Sequence, residues 1–263
     1  MRTVARCLLS AEVRARLYSR YRRLTAWPPV GFVRFGTLRR GTPFSRQFGF
    51  DRGQPIDRYY IDGFLRRHAG AAGYASGVIR GRVLEIGEAR YAGRFGRAAD
   101  IERLDILDVS ADNADATVIA DLTDGSNLAS DSYDCVICTQ TLIVLYDLHA
   151  AVRTLHRILK PGGTLLVTLP GISQICRPDM DIWGDYWRFT ALSARRLFEE
   201  AFDPADITVE SYGNVLSATA FLYGLAAQDL RPRELALHDP DYQVTIALKA
   251  LKSKTSTARE PAR

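Results

Sequence analysis

The sequence predicts an α/β fold: a doubly wound, mostly parallel sheet of seven strands behind an N-terminal extension of helix and loop. Three observations predict it. From residue 82 to residue 251, short apolar runs bounded by turn residues alternate with amphipathic segments, the pattern of strand–helix repeats. The run Thr164 to Leu169 is nearly all apolar, as a parallel strand covered on both faces must be. The length of 263 residues and the 47% hydrophobic content suit one well-filled α/β core, and no internal repeat interrupts it.

The elements follow in order. Residues 3–24 lack Pro and Gly, and Val4, Leu8, Leu9, Val13, Leu17, Tyr21 and Leu24 recur at helical spacing with arginines between them. This predicts an amphipathic helix with a basic face. Residues 27–55 are irregular ordered loop, because Gly and Pro are interleaved with Phe and Arg as no flexible linker would have them. Pro55 suits a helix start, with Ile56, Tyr60, Phe64 and Leu65 as the buried stripe. After a Gly/Ala break at 70–77, strands are predicted at 82–86, 101–107, 116–120, 133–139, 164–169, 207–212 and 242–251. Helices are predicted at 148–159, ended by Lys160-Pro161-Gly162-Gly163, at 191–201 behind a Thr190 cap, and at 215–227. The expected division is 1–55 for the basic helix and aromatic cap segment, 56–251 for the α/β domain and 252–263 for a disordered basic tail.

Charge is unevenly placed. Seven arginines and one acid, Glu12, lie between Met1 and Thr25, while the whole chain carries a formal +5. The basicity therefore describes the ends and not the middle. Residues 1–25 read as a surface for an acidic partner or an anionic membrane, or equally as a helix packed on the domain with solvated arginines. No apolar run approaches the ~20 residues of a membrane span, and no signal peptide is apparent. The expected compartment is the cytoplasm, with peripheral contact at the inner membrane face as an extension of it. Cys135 and Cys138 form a CxxC, but inside an apolar strand run and without a second ligand pair. Residues three apart on a strand face opposite sides, so buried structural thiols are expected, and no metal site.

In a doubly wound sheet, ligands bind beyond the carboxyl ends of the strands. Val83-Leu84-Glu85-Ile86-Gly87 is the first strand and its exit, where Gly87 lets the backbone approach a ligand. A nicotinamide site would want GxGxxG, which is absent. Glu85 and Glu88 would repel a pyrophosphate and suit a ligand bearing an ammonium and a sulfonium. Asp105, 18 residues beyond Gly87 and within the second strand, is placed to bind a ribose diol, with Asp108 as its competitor. Asp121-Leu122 follows the third strand, where a carboxylate and a backbone N–H can meet an adenine edge. Each of these acids reads otherwise as a strand-end or capping residue.

Together Val-Leu-Glu-Ile-Gly, Leu-Asp-Ile, Ala-Asp-Leu, Tyr-Asp-Cys-Val-Ile-Cys-Thr-Gln-Thr-Leu and Leu-His-Arg-Ile-Leu-Lys-Pro-Gly-Gly make residues 56–250 resemble the class I S-adenosylmethionine (SAM)-dependent methyltransferases. The resemblance implies SAM as cofactor, with Glu85 and Gly87 toward its methionine part, Asp105 at the ribose, and Asp121 and Leu122 at the adenine. It also implies Thr139 and Gln140 beside the transferable methyl. One departure stands out: the family's Gly-rich turn after strand one is here Gly87-Glu88-Ala89-Arg90. The leader around Pro43–Ile61 and the loop Trp183–Thr190 are similar to bacterial methyltransferases found with glycosyltransferase and polysaccharide genes. That group implies a small-molecule, sugar or glycan acceptor.

Both segments fit an acceptor pocket: Arg52 and Tyr59 from the leader, Tyr186 and Arg188 from the loop. The bland alternatives are core aromatics and a surface ion pair. The fourth strand ends in Cys-Thr-Gln, without the Asn/Asp-Pro-Pro-aromatic turn that marks amino-group methylation in this family. Oxygen is therefore the expected acceptor atom, with carbon or a sugar amine next. Asp185 and His149 are the candidate general bases; His149 reads otherwise as a helix-end polar residue. The rival functions are a SAM-binding pseudoenzyme, a nicotinamide oxidoreductase lacking its motif, and a nucleic-acid methyltransferase lacking a Lys/Arg stripe through the catalytic half.

Overall fold

The computed structural model describes residues 33–69 and 77–254, together with Val13, Arg16, Leu17, Tyr21 and Pro28. The basic helix expected over 3–24 lies outside the described residues, apart from the helical and exposed Val13, Arg16, Leu17 and Tyr21. Most of the Gly/Ala break and residues 255–263 of the tail lie outside them too. The chain divides into two units, 1–42 and 43–263. In the first, the described residues contain one short 3-10 turn, Gly36–Leu38. The second begins at Pro43, so residues 43–55, expected in the extension, fold with the α/β unit.

That unit is built on seven strands: β1 (Gly81–Ile86), β2 (Ile101–Asp108), β3 (Val118–Ile119), β4 (Tyr133–Thr139), β5 (Leu159–Pro170), β6 (Ile207–Tyr212) and β7 (Thr245–Leu251). Their order is β3-β2-β1-β4-β5-β7-β6. The pairs from β3 to β5 are parallel, and β7 runs antiparallel between β5 and β6. The order reverses between β1 and β4, which opens a crevice at their carboxyl ends.

The sheet is covered on both faces. On one, α1 (Ile56–His68) buries Ile61, Phe64 and Leu65 against Val83, Cys135, Ile137, Leu166 and Ala247. On the other, α3 (Leu148–Ile158) and α5 (Ala191–Phe198) bury Ala151, Val152, Leu155, Leu197 and Phe198 against Leu84, Val136, Cys138, Leu165 and Val167. Cys135 and Cys138 thus point to opposite faces, each a free buried thiol. Burial pushes both thiols up, Cys138 to about 12.

Thr190 caps α5 as expected, in a reciprocal pair with Ser193. Asn214 caps α6 (Val215–Leu222) in the same way. Pro55 stands one place earlier than expected, as the N-cap of α1. The helix expected over 215–227 stops at Leu222, where Gly224, at φ +69°, packs against the Ser45 carbonyl in space no Cβ could share. β5 corrects another boundary. The chain passes from α3 into β5 at Leu159 without a loop, and Lys160–Gly163 is a bulge inside the strand. A Cβ at Gly163 would sit 3.0 Å from the Tyr133 carbonyl, so the close approach of β4 requires glycine there. Three short helices escaped the sequence reading: α2 (Ala92–Phe95), α4 (Arg177–Ile182) and α7 (Pro232–Ala236).

Candidate active site

Two cavities open at the carboxyl end of the sheet. The first, about 590 Å³, lies beyond β1, β2, β3 and β4. Its apolar lining includes Ile86, Leu107, Leu122, Val144 and Leu145; Gly87, Asp108 and Asp121 stand at successive strand ends around it. The second, about 600 Å³, lies between the leader, the turn after β1 and the loop after β5. Its walls include Arg46, Phe48, Phe50, Arg58, Arg90 and Arg188. Gln140 and Asp179 line both cavities, so the two spaces adjoin at these residues.

Gly87 holds φ +85°, and a Cβ there would meet nothing within 4 Å. The backbone turns here with its open side to the first cavity, as a ligand cradle requires. Its N–H donates to the Leu107 carbonyl at 2.8 Å, which fixes the turn to the end of β2. Glu85 does not reach this space. It is buried, and its carboxylate accepts from the backbone N–H groups of Arg90, Tyr91 and Ala92 at 2.7–3.0 Å. Burial raises its pKa against the opposing pull of those three donors. Glu85 therefore shapes the turn that lines the site, instead of contacting a ligand.

Asp105 requires a correction. It is buried between strands and held by two guanidinium groups, Arg82 at 2.8 Å and Arg103 at 2.7 Å. Burial alone would raise its pKa, but the two arginines bring it below the ordinary carboxylate value. Asp108, at the end of β2, is the acid that lines the cavity. Its two oxygens accept from Ser110 N–H and Asn113 Nδ2, at 2.9 and 2.7 Å, which orients the carboxylate. Asp121 is exposed at the rim and is steadied by Thr123, while Leu122 is buried under the floor.

Gln140, like Phe48 at φ +56°, is a strained residue of the site. It adopts φ +54°, a left-handed conformation that non-glycine residues rarely hold, and its Nε2 is buried without a hydrogen-bond partner. Each of these features costs on the order of 1–3 kcal/mol, and such residues cluster at functional sites. Thr139 ends β4 but lines neither cavity.

The expected bases are also corrected. His149 is exposed on α3, where its Nδ1 meets Glu200 at 2.6 Å, and it lines neither cavity. Asp185 has a fully buried side chain, gripped by both guanidinium nitrogens of Arg188 and by the Cys176 N–H at 2.8 Å. Burial alone would raise its pKa, but Arg188 and the Cys176 N–H bring it below the ordinary range, so it is a poor proton acceptor. It locks the loop after β5. Arg188 does line the second cavity, with its nitrogens also donating to the Trp187 and Gln174 carbonyls. Tyr186 lines the first cavity, edge-on to Tyr146. Arg52 is paired with Asp229 at 2.9 Å away from both spaces, and Tyr59 belongs to a separate cavity beside α1. The leader's contribution comes from Arg46, Phe48, Phe50 and Arg58 instead. Sequence reading overlooked these, although they stand in the same aromatic–arginine run as Arg52.

The first cavity fits adenosine and the adjoining methionine chain of SAM. An apolar slot is edged by two strand-end carboxylates, and the glycine turn leaves the backbone open at its base. No group of three or more metal-ligating side chains occurs among the described residues. No helix among them is long and apolar enough to cross a membrane.

Comparison with known proteins bears on the family of the domain. Residues 85–167 match the model of a family described as a methyltransferase domain. No curated protein matches the sequence. Among solved structures, the chain is similar in fold to a SAM-dependent methyltransferase from Archaeoglobus fulgidus, with 14% identity over 79% of this chain and 100% of that one and a TM-score of 0.48. It is similar also to a phosphoethanolamine N-methyltransferase of Haemonchus contortus with S-adenosylhomocysteine bound, at 14% identity and TM-score 0.47. There it covers 75% of this chain but spans only 53% of the other. A third, the cyclase SpnF, is 15% identical over 77% of this chain and 84% of its own, with TM-score 0.49. Residues 85–167 of the chain thus match a methyltransferase domain.

Proposed function

We propose that the protein transfers a methyl group from SAM to an oxygen of a small polar acceptor, a sugar or glycan unit or a comparable hydroxylated molecule. The observation that carries this reading is the pair of adjoining cavities that share Gln140 and Asp179. One is shaped for a nucleoside and the other is walled by Phe48, Phe50 and arginines. When bound, SAM supplies an activated methyl on a sulfonium. The chain's part is to align the two partners, which supplies most of the rate of an in-line displacement. In this reading Asp108 accepts the ribose hydroxyls, and Asp121 with the Leu122 N–H receives the adenine. The Gly87 turn admits the methionine chain, and Gln140 stands where the methyl crosses. The proton of an acceptor hydroxyl needs a base at that crossing. Asp179 is the carboxylate that lines both cavities and takes the role expected of Asp185. The absence of an Asn/Asp-Pro-Pro-aromatic turn after Thr139 supports oxygen over nitrogen.

Calorimetric titration with SAM and with S-adenosylhomocysteine tests the cofactor, and incubation with sugar and phenolic acceptors, read as a gain of one methyl mass, tests the transfer. Micromolar heats and a methylated hydroxyl are expected. No heat and no thermal shift at roughly millimolar SAM would exclude the reading.

A further inference from the structure

The turn Gly87-Glu88-Ala89-Arg90 departs from a Gly-rich turn by placing two charged side chains, Glu88 and Arg90, in the wall of the second cavity. Arg90 lies 5.9 Å from the Phe50 ring centroid and 5.6 Å from that of Tyr91. Arg58 approaches the same Phe50 ring at 5.8 Å. One aromatic side chain therefore gathers two guanidinium groups at the cavity wall. Arg58 is committed to Asp57 at 2.6 Å, and Arg188 to Asp185. Arg46 and Arg90 have no carboxylate within ion-pair distance among the described residues.

The charge balance of this space is informative. Four guanidinium groups (Arg46, Arg58, Arg90, Arg188) are matched by Asp57, Glu88, Asp179 and the buried Asp185 behind Arg188. The cavity is thus formally neutral on its own. SAM brings one net positive charge, since its sulfonium and ammonium outnumber its carboxylate. With SAM bound the site is therefore cationic, and with S-adenosylhomocysteine, which lacks the sulfonium charge, it is neutral. In either state its two uncommitted guanidinium groups present fork-shaped donors to whatever shares it. A neutral acceptor would offer these donors only uncharged oxygens, whereas an anion would match both their charge and their fork.

We propose that the acceptor bears an anionic group, a carboxylate or a phosphate, received by Arg46 and Arg90, while its methyl-accepting hydroxyl lies toward Gln140 and Asp179. The inference rests on the proposed methyl transfer and adds the class of acceptor. It also gives the altered turn a purpose: Arg90 does for the acceptor what a glycine could not.

The test is calorimetry on the full chain saturated with S-adenosylhomocysteine, using glucuronate, glucose 6-phosphate and neutral glucose as probes. The expected result is millimolar or tighter binding of at least one anion, weakening as salt is raised, with glucose at least about tenfold weaker. Preference between glucuronate and the phosphate identifies which anion the site takes. Arg46→Ala and Arg90→Ala should each weaken the anion by about tenfold or more, and Arg90→Lys should restore only part of the loss, because the charge returns without the fork. S-adenosylhomocysteine affinity should stay within about threefold in each variant. Equal binding of glucose and the anions, or no anion binding at about 10 mM, overturns the inference. So does a parallel loss of S-adenosylhomocysteine, which would assign the arginines to the cofactor's own carboxylate. Failure of S-adenosylhomocysteine to bind the unaltered chain would instead remove the methyl-transfer reading itself.

Discussion

Replacing Asp108 and Asp105 separately distinguishes a cofactor ligand from a structural acid. The two carboxylates lie three residues apart on β2, yet Asp108 lines the first cavity and Asp105 is enclosed by Arg82 and Arg103. A hydrogen bond to a charged group contributes about 1.5–3 kcal/mol, so Asp108→Ala should weaken SAM and S-adenosylhomocysteine by about 10- to 100-fold. Asp105→Ala removes the shared partner of two arginines whose side chains are 35% and 62% exposed. Water can take over much of the solvation of those cations, so the stability loss should be about 1–3 kcal/mol, set mainly by the buried carboxylate's own hydrogen bonds. Cofactor affinity should change less than about threefold, the scale of an indirect effect. The assay is titration calorimetry beside urea unfolding of each variant. If Asp105→Ala costs as much affinity as Asp108→Ala while still folded, the assignment of the ribose to the end of β2 is wrong.

Further outcomes follow from the same geometry. Gly87→Ala should lose about 1 kcal/mol or more of stability, because φ +85° is strained for any residue with a Cβ, and S-adenosylhomocysteine titration should show weakened binding. Gln140→Ala removes an unpartnered buried amide, so urea unfolding should show stability unchanged or up by about 1 kcal/mol while methyl transfer slows. His149→Ala, at a residue that lines neither cavity, should leave transfer and cofactor affinity unchanged within error. Asp185 has a depressed folded pKa, so its stabilising effect is complete above the ordinary carboxylate range near pH ~4 and is lost as pH falls through the folded value. The stability difference between the unaltered chain and Asp185→Asn, followed by unfolding from pH ~6 down to ~2, should therefore shrink at the acid end.

The sheet was legible because its signal is local. Tyr133–Thr139 and Ile207–Tyr212 are continuous apolar or alternating runs, and both strands form where periodicity places them. β3 shrank to Val118–Ile119 because at the sheet edge it pairs only with the end of β2. The lining of the first cavity was legible at strand ends, where Gly87, Asp121, Leu122 and Gln140 stand by topology alone. What failed depended on partners remote in sequence. Asp105 looks like a free acid until β1 is laid beside it in register, with Arg82 opposite Arg103. His149 meets Glu200 and Arg52 meets Asp229, separations of 51 and 177 residues that no local pattern announces. Asp185 and Arg188 were correctly seen as neighbours, but only burial shows that the pair is closed on itself.

The placement of the cysteines equips the molecule with two chemical clocks. Cys135 and Cys138 sit in the two separate cores, with thiols raised far above neutrality, so a thiol reagent reaches them only when the sheet opens. Cys176 lies half-buried in the wall of the second cavity, with its thiol pushed up to about 11. Once Cys7 is replaced by serine, slow labelling at the strand pair records global opening. Faster labelling at Cys176 records whether the cavity beside it is filled. The chain therefore reports its own stability and its own occupancy to one reagent on two timescales, without any introduced probe.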